Sequence, residues 1–401
     1  MTTSLPPIQM IDSDQSLLRL VERLANEALI AVDTESNSLY AYYERVCLIQ
    51  ISTQTGDWVI DPLALDDLSP LGTIFADPHI EKVFHAAEYD LMCLKRDYEF
   101  IFLNLFDTMV TARILGRKAI GLGSLLEDYF DLHMDKRFQK ANWSERPLPK
   151  DMLRYAQKDT HYLPALRDKL YEELVGRGLL EEALDVFATF AALTPPAAST
   201  RHFNPDEVWN MPAARRLNRR QMGALREIAI LREEIAQTKD VPPFKVMLDE
   251  TMVILAESAP QHPRDLSKVR GVTRWISGRY AEDTIAAITR GLNSPPTRRP
   301  PPAAQDDALT QTRYNALREW RRKLADARGV ESDVIIPKDI LLTIARLAPD
   351  TREGLAMITT MGAWKRERYG AEIIEVLASV APPPTPKPKR RRKSTLPKQD
   401  T

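Results

Sequence analysis

Cysteine is almost missing from this chain: its 401 residues hold two, Cys47 and Cys93. Both stand among apolar neighbours, which reads as core packing and argues against a disulfide framework or a cysteine zinc site. Such usage fits a reducing compartment. No apolar run is long enough to span a bilayer, and no basic region followed by a long apolar stretch opens the chain. A soluble, cytoplasmic protein is expected. Bulk positive charge is missing as well, since the formal net charge is −1. The last twenty residues hold Lys387, Lys389, Arg390, Arg391, Arg392, Lys393 and Lys398 against Asp400, a net +6, so the rest carries about −7. An acidic body does not grip nucleic acid by overall charge, so any such binding must be local.

What is present is apolar residue in quantity, 44%, enough for cores in two or three domains. Residues 28–32 form an apolar run that ends in Asp33-Thr34-Glu35. A strand alternates its side chains, so the two acids point to one side. Taken alone, so short a pattern reads first as a solvated acidic turn. Strand patterns follow at 46–52 and 57–60, joined by Thr55-Gly56-Asp57, with a short one at 82–84. Helical periodicity covers 65–76, 87–97, 107–115, 124–130 and 150–175. Three strands followed by strand–helix units predict an α/β domain with a mixed sheet flanked by helices, over 1–195.

The second half carries helical patterning throughout, and it repeats. A shift of 89 residues lays Leu231-Arg232 on Trp320-Arg321, Ala259-Pro260 on Ala348-Pro349, Trp275 on Trp364 and Arg279-Tyr280 on Arg368-Tyr369. This predicts two copies of one small all-α domain, at 211–294 and 308–381, after a linker at 196–210. A proline-rich linker at 295–307 separates the copies. The basic tail, 382–401, is expected to be disordered, and its 387–393 run reads equally as a nucleic-acid arm and as a solvating tail.

Two further acids have informative settings. Asp90 falls just after the strand at 82–84, within the first turns of a helix. Tyr155 and Asp159 are spaced i, i+4 on one helical face. Each has a dull explanation: a first-turn acid favoured by the helix dipole, or a core tyrosine with an acid at its edge. His85 and His161 read as packing or surface residues, and Asp107 as a helix cap. Together, however, the acids answer one need. Phosphodiester cleavage with two divalent cations takes several carboxylates to hold the ions about 4 Å apart. All-oxygen ligands select Mg²⁺ or Mn²⁺ over zinc. A phenol one turn from a metal-binding aspartate is placed to orient the attacking water.

Asp33-x-Glu35, the Asp90 segment and Tyr155-x-x-x-Asp159 resemble the three exonuclease motifs of the DEDD superfamily in its tyrosine-bearing branch, whose domain has a ribonuclease H-like fold. Phe106-Asp107-Thr108-Met109, Ala112-Arg113-Ile114-Leu115-Gly116, Trp143-Ser144-Glu145-Arg146-Pro147-Leu148 and Asp159-Thr160-His161-Tyr162-Leu163 are similar to ribonuclease D. The repeated helical unit resembles the HRDC domain. Together the resemblance spans residues 8–380. It implies a 3′-to-5′ exoribonuclease that releases nucleoside 5′-monophosphates from RNA 3′ ends, transfer RNA precursors among them, and that acts as a monomer. Asp33, Glu35, Asp90 and Asp159 would hold two Mg²⁺ or Mn²⁺ ions, and Tyr155 would position the water. Two departures stand out. Asn142 occupies a place where relatives often carry an aspartate, and Thr360 stands opposite Gly271.

Arg270, Arg274, Arg279, Lys365, Arg366 and Arg368 gather near the repeated tryptophan and tyrosine, a pattern that suits phosphates plus stacking. For any one of them, a solvated helix face explains as much. Competing readings are a DNA exonuclease of the same superfamily and a non-catalytic RNA-binding scaffold. Retention of every acid and the tyrosine weighs against the scaffold.

Overall fold

The computed structural model describes residues 5–195, 203–295 and 306–380. The expected basic tail, the first half of the linker expected at 196–210 and most of the one expected at 295–307 lie outside them; the first linker's described end is a 3₁₀ turn, Pro205–Asn210. Two compact units divide the chain, Met1–Ala303 and Ala304–Thr401. The first opens with a sheet domain whose elements run β1 (Gln9–Ile11), α1 (Asp14–Leu24), β2 (Leu29–Ser36), β3 (Val46–Ser52), β4 (Asp57–Ile60), α2 (Ser69–Ala76), β5 (Glu81–Phe84), α3 (Glu88–Tyr98), β6 (Leu105–Asp107), α4 (Thr108–Ile114), α5 (Leu122–Phe130), α6 (Lys150–His161), α7 (Leu163–Gly176) and α8 (Leu180–Ala191).

The six strands lie in the order β1-β4-β3-β2-β5-β6. β2, β3 and β4 pair antiparallel, while β1, β5 and β6 join parallel, so the sheet is mixed as expected. β3 is buried along its whole length, as a strand covered on both faces must be. β2 is buried only through its apolar first half and opens where Asp33 begins. Its strand neighbours and α6 behind it therefore hold the acidic end rigidly.

The single helix expected over 150–175 is two. Pro164 stands at the start of α7; it has no N–H to give the Thr160 carbonyl four residues back and its ring crowds that carbonyl, so the helix breaks at Tyr162. β1 and β6 are too short to be read from the sequence; α1 and α8 were not anticipated either, although α1 is plainly amphipathic, with Leu17, Leu20 and Leu24 on its buried face.

A helical domain completes the first unit, with α9 (Arg219–Lys239), α10 (Pro243–Val246), α11 (Asp249–Ser258), α12 (Pro263–Leu266), α13 (Arg274–Arg279) and α14 (Ala281–Asn293). The loop after β2 fastens it to the sheet domain. Tyr42 is buried in the helical core, its hydroxyl donates to Glu233 at 2.8 Å, and its N–H donates to Asp240 at 3.0 Å. Gln237 donates to the Tyr43 hydroxyl at 2.7 Å, and the Lys245 ammonium sits 3.9 Å from the centre of the Tyr40 ring.

The second unit holds α15 (Ala308–Arg328), α16 (Ser332–Ile335), α17 (Lys338–Leu347), α18 (Arg352–Ala356) and α19 (Ala363–Ser379). The 89-residue offset is physical. α9, α10 and α11 start and stop 89 residues before α15, α16 and α17. Ala259 and Ala348 end equivalent helices in the left-handed region, at φ 44° and 46°. Trp275 meets Tyr280 edge-on at 5.1 Å, and Trp364 meets Tyr369 edge-on at 5.9 Å. Arg232 and Arg321 each donate to the carbonyl fifteen residues on, Met247 and Ile336.

α9 and α14 approach to backbone contact: a Cβ on Gly223 would lie 2.4 Å from the Gly291 carbonyl oxygen. Neither backbone can yield without parting the helices. Gly223→Ala should therefore destabilise the first unit by about 2–3 kcal/mol, read as an earlier urea midpoint with unchanged slope. An unshifted midpoint would show that the helices slide apart freely.

Candidate active site

β2 carries Asp33 and Glu35 on one side, with Asp33 opposite Gln50 and Glu35 opposite Leu48 on β3. α6 crosses behind them and presents Tyr155 and Asp159. Carboxylate oxygens of Asp33, Glu35 and Asp159 lie within 4.8 Å of one another. Asp90 stands slightly apart, buried on α3, where it accepts the Thr34 hydroxyl from between the two β2 acids.

α6 is tied to the sheet on either side of Asp159. Gln157 donates to Asp57 at 2.6 Å, His161 pairs with the same carboxylate at 2.9 Å, and Thr160 meets Ser52 at 2.7 Å. Burial alone would raise Asp57, but hydrogen bonds from His161, Gln157 and Ser52 outweigh it and hold the carboxyl below its ordinary range. The Trp143–Leu148 segment has a matching purpose. Arg146 forks onto Asp61 at 2.6 and 2.7 Å and donates to the Cys47 and Trp143 carbonyls. That fixes the run into α6, with Trp143 (1% exposed) packed 6.1 Å from the Tyr155 ring and Phe138 edge-on at 5.9 Å. Asn142 caps this turn, accepting from the Ser144 hydroxyl and donating to Glu145.

Three carboxylates this close repel one another. Burial raises Asp33 well above the usual carboxylate range, and the Asp159 charge adds to it. Glu35 is raised by burial, then by Asp33, Asp159 and Asp90. Burial pushes Asp159 up to about 7 against the pull of Lys158, and Asp90 is raised by burial and then by Asp33. Such a set wants a cation. The donors are all oxygens, and among the described residues no cysteine or histidine joins the cluster. These residues fit hard divalent ions.

The acids open onto a cavity of about 520 Å³, walled further by His85, Ser124, His133, Lys136 and Gln139. Tyr155 and Asp135 also wall a neighbouring cavity of about 860 Å³ lined by Arg137, Lys150, Arg154 and Lys158. Reading the sequence missed these walls, along with Thr34 and Gln50. Gln50 left a trace, a lone amide inside an otherwise apolar strand. Its side chain is fully buried across from Asp33, with neither amide atom partnered among the described residues. Asp107 is the cap it was read as, accepting from Val110 N–H at 2.9 Å.

The expected basic surface is only partly there. Arg270, Arg274 and Arg279 are exposed in the first helical domain. In the second unit Arg368 is exposed beside Glu372 and over Tyr369, whereas Arg366 is half-buried and donates to the Met361 carbonyl. Lys365 must be corrected. It is 7% exposed and donates to the Val334 carbonyl at 2.7 Å, because it shares the inward face of α19 with Tyr369 and Ile373. Cys47 and Cys93 are free and buried, their thiols pushed up by burial to about 11 and 12. Among the described residues no helix is long and apolar enough to cross a membrane.

Fold and site define a nuclease of the 3′–5′ exonuclease class: residues 8–175 match the 3′-5′ exonuclease domain family, and 221–288 and 310–377 each match the HRDC domain. The chain is 34% identical over 286 residues to a protein named ribonuclease D from Gluconacetobacter diazotrophicus, covering 71% of this chain and 72% of that one. Another ribonuclease D, from Acidiphilium cryptum, is 29% identical over 93% of this chain and 94% of its own. Escherichia coli RNase D, titled an exoribonuclease involved in structured RNA processing, shares the fold at a TM-score of 0.66 and 23% identity, over 93% of this chain and 99% of that one. The chain belongs to the ribonuclease D family.

The raised acids give a signed pH dependence. Unfolded carboxylates titrate near 4, whereas the folded values reach about 7 for Asp159 and about 10 for Glu35, so the metal-free folded state binds more protons than the unfolded chain between about pH 4 and 10. Its stability is greatest below that window and falls as pH rises through it. Bound cations displace those protons, so their affinity rises with pH. In chelator, Glu35→Gln should melt about 2–4 °C higher than wild type near pH 8 and show a smaller Mn²⁺-induced shift. A variant melting lower in chelator, with the Mn²⁺ shift intact, would mean the acids do not strain the fold.

Proposed function

We propose that the chain is a hydrolytic 3′-to-5′ exoribonuclease that uses Mg²⁺ or Mn²⁺ and releases nucleoside 5′-monophosphates, acting in the cytoplasm on RNA 3′ ends that include transfer RNA precursors. One observation carries the reading: three carboxylates from β2 and α6 converge within 4.8 Å at the floor of a nucleotide-sized cavity. Asp33, Glu35 and Asp159 would hold the cations, with Asp90 joining them as its carboxylate turns from Thr34. Such ions, when bound, ionise an attacking water and stabilise the leaving oxygen.

The chain's own groups do the positioning. Burial and then the charges of Asp159, Glu35 and Asp33 raise the Tyr155 phenol above its ordinary value, so it stays protonated at neutral pH. It serves as a hydrogen-bonding post that orients water, rather than as a base. Trp143 and Phe138 hold its ring from two sides, which keeps that post fixed through the reaction. Arg270, Arg274 and Arg279 would add a separate phosphate-binding surface on the first helical domain, and Arg368 one on the second.

The test is a 5′-labelled RNA with a single-stranded 3′ tail, beside a matched DNA, with each cation and with chelator. A ladder shortening from the 3′ end on RNA is expected, abolished by chelator and by Asp33→Asn. Tyr155→Phe should lower kcat about 10²-fold with little change in KM. Equal trimming of DNA would make the chain a general exonuclease. RNA binding without any ladder would favour a scaffold.

A further inference from the structure

His85 is held with more care than a packing residue requires. It follows β5 at a turn where Ala86 takes a left-handed backbone, φ 64°, a conformation that disfavours any residue with a Cβ. Asp107 sustains the turn by accepting the Ala86 and Ala87 N–H groups at 3.3 and 2.7 Å. The next residue, Thr108, meets His85 Nδ1 at 2.9 Å.

That contact settles which ring nitrogen carries the proton. The Thr108 hydroxyl has one hydrogen, and it goes to the Phe84 carbonyl at 3.1 Å. Thr108 can then only accept from His85, so Nδ1 is protonated, and burial, which pushes the imidazole down to about 4, keeps the ring neutral and leaves Nε2 its lone pair. Thr108 is fully buried, so Nδ1 faces inward and Nε2 faces the cavity that His85 walls together with Asp33, Glu35, Tyr155 and Asp159. Four hydrogen bonds and a strained turn thus present one fixed, neutral acceptor beside the acids.

An acceptor there must meet a donor. Phosphate groups of a nucleic acid offer acceptors only. Base amino groups differ from base to base, and an enzyme that removes every nucleotide in turn cannot depend on them. Sugar hydroxyls recur at every step. We propose that His85 Nε2 accepts a hydrogen bond from a sugar hydroxyl of the nucleotide bound in this cavity, and so reads ribose. This rests on the exoribonuclease reading above and names the chemical group that the site recognises. It also gives the Phe106-Asp107-Thr108 run a purpose: Asp107 and Thr108 are positioning residues for His85.

The experiment compares kcat/KM for short oligoribonucleotides that differ only at the 3′ end: all-ribose, 2′-deoxy at the last nucleotide, 2′-deoxy at the next to last, and 3′-deoxy at the last. Wild type should lose about tenfold on one of these deoxy ends, the loss of one hydrogen bond, and the end affected identifies the hydroxyl. His85→Phe keeps a ring and removes the acceptor, and should bring that ratio close to one. Thr108→Val frees the imidazole to change tautomer without touching substrate, and should shrink the same ratio. An undiminished ratio in His85→Phe, or a wild type indifferent to every deoxy end, would overturn the assignment while leaving the exoribonuclease reading intact. No trimming of any RNA by wild type would overturn both.

Discussion

Everything in the sheet domain answers to a repulsion. Asp33, Glu35 and Asp159 crowd their oxygens within 4.8 Å in a half-buried setting where each charge costs more than in water. Left to itself, α6 would swing away from β2. It is held by Gln157, Thr160 and His161, bonded to Asp57 and Ser52, and by the Arg146–Asp61 fork just upstream. Asp57 and Asp61 are more fully buried than Asp33, Glu35 and Asp159, but each has cationic or amide donors. The fold therefore sets satisfied acids beside unsatisfied ones, and only the second group has use for a divalent ion.

The helical copies have diverged where their surfaces have different work. Glu233, Gln237, Asp240 and Lys245, which receive the Tyr40–Tyr43 loop, correspond to Arg322, Asp326, Gly329 and Val334. In the second copy Arg322 pairs with Glu319 and Asp326 on an exposed face. What both copies keep is internal: the Trp–Tyr pair, the arginine on a loop carbonyl and the left-handed alanine. Packing within each copy constrains those positions, whereas the outer face is free to change. The docked loop follows directly from Glu35, so the first copy braces the strand that bears two of the acids.

Much of the site was legible because its signals are local. Asp33 and Glu35 are two apart on a strand, Tyr155 and Asp159 four apart on a helix, and periodicity alone puts each pair on one side. Lys365 was misread because its neighbours are basic while its helical phase is that of the core. Thr34 and His85 carry no local signature, and Gln50 only a faint one, an amide within an apolar strand. Gln50 matters through its register opposite Asp33, Thr34 through Asp90 on another element, and His85 through a hydroxyl twenty-three residues on.

By itself the amino-acid sequence determined the class of domain and the duplication, and it set each of the two spaced pairs on one side of its element, because strand alternation, helical period and a constant offset are properties of a chain in one dimension. Tertiary structure decided which of those acids share one space, which carry raised pKa values, which lysine is core, and which histidine nitrogen faces the cavity. Those depend on distance and burial between residues far apart in the chain, and on how each scarce hydrogen is spent between them.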